Sequence, residues 1–235
     1  MRQIATIGAR DEGTTLRGTE VDEAGRRSQI VRAAAAVLGR QGYAETSLKD
    51  VAREAGVAPG LLHYYFDSKE ELLLEVVMVT ERQMVADWKA VVEAVEDPLE
   101  RIVTGLDHAE ARCADQPEFF RLLLDLYTVS LSSPALRVRC ASLRTHLVDE
   151  VEIELRQVLG RLPAYSLVSP RELAGAILGA IDGIALSVLV AQQPPAAPFR
   201  ALKVLLLSLV VTAYVTAGQQ PPIARLGEML SRHHR

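Results

Sequence analysis

The chain is predicted to be all-α, with a small N-terminal three-helix domain followed by a larger helical one. Three observations predict it. Start and stop signals for helices recur at about a helix's length apart along the 235 residues. No segment shows the apolar–polar alternation of a half-buried strand. Two long segments near the C-terminus are almost wholly apolar, as helices buried inside a protein are.

Residues 1–25 mix charges with glycine and threonine and contain no apolar run. They are expected to form a disordered arm, and they lack the pattern of a signal peptide. Ser28 is expected to cap the first helix, which runs to about Gln41 with Ile30, Ala33, Ala34, Val37 and Leu38 on one face; Gly42 ends it. Ser47, with Asp50 three positions on, should cap a second helix on which Leu48, Val51, Ala52 and Ala55 share a face. Gly56 gives the turn its backbone freedom, and Val57 drops back into the core. Leu62 and Phe66 then repeat at i, i+4 on a third helix, leaving Pro59, Gly60, Leu61, His63, Tyr64 and Tyr65 for other faces. Two short helices around a glycine turn make a helix-turn-helix, whose second helix can enter a DNA major groove. This first domain is set at residues 26–67.

Ser68 and Glu71 open a long helix expected to reach about Val95. Asp97-Pro98-Leu99-Glu100 and Ser169-Pro170-Arg171-Glu172 each supply a cap, a proline at the first helical position and a glutamate at the third. Gln116-Pro117 and Ser133-Pro134 repeat the pattern in weaker form. Pro194, Pro195 and Pro198 separate an apolar helix at 171–193 from another at 199–217, and a short helix follows at about 223–231. Nine or ten helices result. The two apolar segments are near the lower length limit for a membrane span, and Asp182 and Lys203 interrupt them, so they are expected to be buried in protein, with no membrane partner.

The net charge is −4, which argues against indiscriminate coating of nucleic acid. Between residues 26 and 66, however, Arg26, Arg27, Arg32, Arg40, Lys49 and Arg53 outnumber Glu45, Asp50 and Glu54. A locally basic end on an acidic chain suits one domain that docks on phosphate and another that does something else. Cys113 and Cys140 are too few and too isolated for a disulfide framework or a zinc site. No nucleophile–base pair, phosphate-cradling glycine loop or metal-ligand cluster stands at motif spacing. The expectation is a cytoplasmic non-enzyme with no cofactor and no metal.

Gly42-Tyr43, Thr46-Ser47-Leu48, Asp50-Val51-Ala52, Ala55-Gly56-Val57 and the run Tyr64 to Leu72 together resemble the DNA-binding domain of TetR-family transcriptional regulators, over roughly residues 28–75. The resemblance implies that Ser47 and its helix N-terminus face a phosphate and that Lys49 meets a base or its phosphate. It implies that Pro59, Gly60, Leu61 and His63 face the groove, and that Tyr64, Tyr65 and Lys69 contact phosphates. Two positions depart from the family pattern. Leu61 replaces a small polar residue and offers only apolar contact, and His63 replaces a tyrosine and has shorter reach.

Residues 68–235 are expected to sense a ligand and to dimerise. Trp88, His108, Cys113, Phe119, Phe120, Tyr127 and His146 supply apolar bodies with polar tips, which suits a mid-sized hydrophobic ligand. Gly175, Gly179 and Gly183 fall on one face of an apolar helix and would allow close packing against a second copy; packing against the same subunit is the alternative. The function expected from all this is a dimeric repressor that binds a palindromic double-stranded DNA operator and is released by a small hydrophobic effector. An activator, or a regulator without a working ligand response, fits the same residues.

Overall fold

Capping residues and prolines decide where most helices of this chain begin. A computed structural model describes residues 12–159 and 168–231, and among these there are ten helices and no strand. Residues 232–235 and the first part of the expected arm, residues 1–11, lie outside the described residues. From Glu12 the chain is already helical: α1 spans Glu12–Glu45, broken only at Gly42, whose φ of 81° ends the regular helix as expected. Ser28 is therefore mid-helix and caps nothing. Its hydroxyl donates to the Ala24 carbonyl one turn back, at 2.9 Å, a bond that satisfies serine inside a helix. Glu23 and Arg27, four apart, are spaced to support helix through the stretch first read as an arm.

Two compact units divide at Leu72–Leu73, close to the division expected at Ser68. The first contains α1, α2 (Leu48–Ala55), α3 (Pro59–Tyr65) and the start of α4 (Lys69–Glu93). Gly56 takes the left-handed conformation, φ 65°, and turns α2 toward α3. Ile30, Ala34, Val37, Leu38, Val51, Ala52, Leu62 and Phe66 form the buried core, so the apolar faces read from spacing are the packed ones.

The second unit holds the rest of α4, with α5 (Pro98–Asp115), α6 (Pro117–Ser132), α7 (Pro134–Leu159), α8 (Pro170–Ala191), α9 (Ala196–Thr216) and α10 (Ile223–Ser231). Asp97 and Ser169 cap α5 and α8 as expected; Gln116 makes no side-chain cap at α6. Pro198 stands inside the first turn of α9 and does not precede it. The N–H it lacks is one that a first turn leaves unused. The core gathers Leu99, Val103 and Leu106 of α5 with Leu155, Ile177, Leu206 and Val210. Lys203, in the apolar run of α9, is buried and paired with Asp107 and with Glu110 at 2.7 Å on α5. An ammonium so enclosed stays in an apolar helix because two carboxylates satisfy it.

Candidate functional site

In the first unit the polar faces of α2 and α3 are open. Ser47, Lys49, Pro59, Gly60, His63 and Tyr64 are exposed, while Leu61, Tyr65 and Lys69 are half-buried. Leu62 and Phe66, fully buried, set which face of α3 turns outward. Tyr64 is 70% exposed, and its ring meets that of Tyr65 edge to face at 5.1 Å.

Two of these side chains carry structural work as well. The Ser47 hydroxyl accepts from the Asp50 N–H at 3.2 Å and the Ser47 N–H donates to Asp50 Oδ2 at 3.1 Å, completing the expected capping box; the hydroxyl also donates to Oδ2 at 2.6 Å. Bonds from the Ser47 side chain and backbone hold the Asp50 carboxyl below its ordinary pKa. Lys69 Nζ donates to the carbonyls of Tyr43 and Thr46 at 2.8 and 2.9 Å and lies 4.1 Å from the centre of the Tyr43 ring. These bonds use two of the three N–H groups of its ammonium. Tyr43 completes this clip by donating to Glu70 Oε1 at 2.5 Å, and the bond keeps the Glu70 carboxyl low. Arg40 and Arg53, counted in the basic surplus, are paired with Glu54 and Asp50.

The second unit holds a half-open cavity of about 160 Å³ lined by α4 to α9. Trp88, His108, Phe119 and Phe120 line it as expected. Cys113, Tyr127 and His146 are not among its lining residues. Cys113 stands one residue past the lining Arg112, about 100° around the helix. It is buried, and burial pushes its thiol pKa up. Tyr127 is one turn past the lining Leu123 on α6, and burial pushes its hydroxyl up to about 12. His146, half-exposed, stands 4.0 Å from the lining Glu81. Gly105 opens room on α5: a Cβ there would come within 2.8 Å of the Trp88 indole nitrogen.

The charged lining was not foreseen. Arg144 pairs with Asp182 at 2.6 Å, Arg101 with Glu154 at 3.5 Å, and Arg112 with Asp87. Burial raises the Asp182 pKa against the pull of Arg144, and burial with the Arg112 charge lowers that of His108. Glu81 is buried in the wall, and desolvation raises its carboxyl above the ordinary range. One signal for it lies in the sequence: Val77, Glu81, Val85 and Trp88 continue a single stripe on α4, so a carboxylate interrupts an apolar face.

On α8, Gly179 and Gly183 are exposed and Gly175 is half-buried. A Cβ at Gly175 or Gly183 would meet nothing within 4 Å, and one at Gly179 would meet only the Arg144 guanidinium, at 3.9 Å. Among the described residues, none packs closely on this face at Gly175 or Gly183. Leu186, Val190, Leu205 and Val215 are also exposed on α8 and α9. Both helices are long and apolar enough to cross a membrane by length and composition.

Residues 30–76 match the family model of the bacterial regulatory proteins, tetR family. The HTH-type transcriptional regulator BetI of Rhizobium meliloti is 37% identical over 114 residues, 48% of this chain, and the chain spans about half of that relative's length, 55%. BetI of Brucella canis is 30% identical over 165 residues, covering 68% of this chain and 77% of that protein. A TetR-family regulator from Pectobacterium atrosepticum superposes with a TM-score of 0.64 at 25% identity, over 81% of this chain and 96% of that one. A transcriptional regulator from Saccharomonospora viridis, solved in complex with choline, gives 0.65 at 22% identity, over 76% and 94%. With its helix-turn-helix in register and a BetI relative matched over most of that relative's length, the chain belongs to the TetR family of transcriptional regulators.

Proposed function

We propose that this regulator is a homodimeric repressor that holds a palindromic operator when its cavity is empty and releases it when a small, largely apolar molecule enters. One helix carries the reading. α4 gives Lys69 to the first unit and Glu81, Met84, Val85 and Trp88 to the cavity wall of the second. A ligand that reshapes the wall acts on a helix whose first turn belongs to the DNA-binding unit. The effector must prefer the non-binding conformation, by about 10⁴-fold to move the population from 99:1 to 1:99. The choline complex of the Saccharomonospora viridis protein supports a small-molecule effector, and the cavity volume is close to one that encloses a benzene ring.

DNA contacts are assigned to Ser47, Lys49, Pro59, Gly60, Leu61, His63, Tyr64, Tyr65 and Lys69. The exposed glycine face of α8, with the apolar side chains beside it on α8 and α9, is assigned to the second copy. Two-fold symmetry then sets the two recognition helices about 34–36 Å apart, one turn of DNA. Binding to DNA from immediately upstream of the chain's own gene tests the proposal. A saturable, two-fold symmetric footprint, tight against scrambled DNA at physiological salt, is expected. Weak, salt-sensitive binding to both DNAs would defeat the operator assignment at that site.

A further inference from the structure

The charges of the cavity wall do not balance. Its three arginines are committed to Glu154, Asp87 and Asp182, and Glu150 holds Lys89 at 2.6 Å. Glu81 is the one lining carboxylate without a lysine or arginine ion pair among the described residues. Its side chain is 4% exposed and its Oε1 accepts no hydrogen bond. His146 Nε2 stands 4.0 Å away, beyond hydrogen-bond reach, on a ring half open to solvent. Buried acceptors are rarely left unmatched in folded proteins, and one in the wall of a cavity points to a donor on whatever fills it. Around it Val85, Trp88, Phe119 and Phe120 form an apolar surface.

We infer that the cavity takes a small protonated amine with a ring-sized apolar body, its N–H donating to the Glu81 carboxylate. The inference rests on the ligand-binding part of the function proposed above and names the chemical class. An organic anion would meet Glu81 with every lining arginine already paired. A neutral hydrocarbon would fill the apolar volume and leave Oε1 without a donor. A quaternary ammonium would bring the charge but no hydrogen to donate. A protonated amine satisfies both the charge and the acceptor, and a charge-assisted bond in an enclosed wall is the strong kind.

Calorimetric titration of the full chain without DNA tests this with four probes of one ring size: benzylammonium, benzyl alcohol, benzoate and benzyltrimethylammonium. Benzylammonium should bind at least ten-fold more tightly than each of the others. Glu81→Gln, which keeps the shape, should remove that preference and leave benzyl alcohol binding unchanged, which also reports an intact cavity. Equal affinity for benzylammonium and benzyl alcohol would overturn the inference, as would a preference that survives in Glu81→Gln. Benzyltrimethylammonium binding as tightly as benzylammonium would overturn the hydrogen bond, and no binding by any probe would overturn the whole. Selective amine binding that leaves operator affinity unchanged would uphold this site while removing the release step from the proposed function.

Discussion

A lysine that meets a phosphate and a histidine that meets a base edge fail differently when removed, and the exposed pair Lys49 and His63 separates the two. Lys49→Ala should weaken binding to all sequences and flatten the salt dependence by about one unit of slope. His63→Ala should change preference at one base step per half-site and leave the slope alone. Measured affinity across salt and across operator variants checks both; a uniform loss for His63→Ala would mark it as a backbone contact. Glu81 offers a test by pH. Burial raises its folded-state pKa, so the folded chain keeps the proton to higher pH than the unfolded chain does. Its stabilising contribution is complete below the ordinary glutamate range and is lost as pH rises through the raised value. His146 and Arg82 oppose the shift and Glu150 adds to it. Melting curves from about pH 4 to 7 should show the native chain losing ground to Glu81→Gln as pH rises; parallel curves would contradict this. Ser47 was legible because a capping box is local in sequence. Glu81 was not, because a single acid on a helix looks like solvated charge until the stripe around it is seen to be buried.

Helix ends were legible wherever a cap and a proline coincided, as at Asp97-Pro98 and Ser169-Pro170, because both act within a single turn. They were misread where one signal stood alone. Ser28 is a good cap by type, yet the helix runs through it because its hydroxyl finds a carbonyl one turn back. Pro198 is a breaker by type, yet a first turn accommodates it. The face of a helix that meets a partner is harder to read, since spacing alone gives the same stripe for either neighbour. On α8 the open space over Gly175 and Gly183 among the described residues favours a second copy as the partner of this face. Gly179→Leu should therefore spare the fold of the subunit and weaken self-association at least ten-fold, read by sedimentation at falling concentration. A dimer of unchanged affinity would show that α8 is not the contact.

The fold class, the order of helices and the aromatic part of the cavity wall followed from the sequence, but its charged part did not, because it is assembled from side chains on helices far apart in the chain. The single chain leaves Val190 at 76% and Leu205 at 67% exposure, apolar surface that a second copy would cover. If association covers it, stability belongs to the pair, and thermal unfolding should shift down by about 2 °C for each ten-fold dilution. A melting temperature independent of concentration would argue for a monomer that keeps these faces open. The seat of Trp88 against Gly105 has a practical consequence. Trp88 is the only tryptophan in the chain, and its indole lies in the cavity wall. The colour and yield of its emission depend on what surrounds that ring, so the protein carries its own optical gauge of whether the cavity is filled, with no label attached.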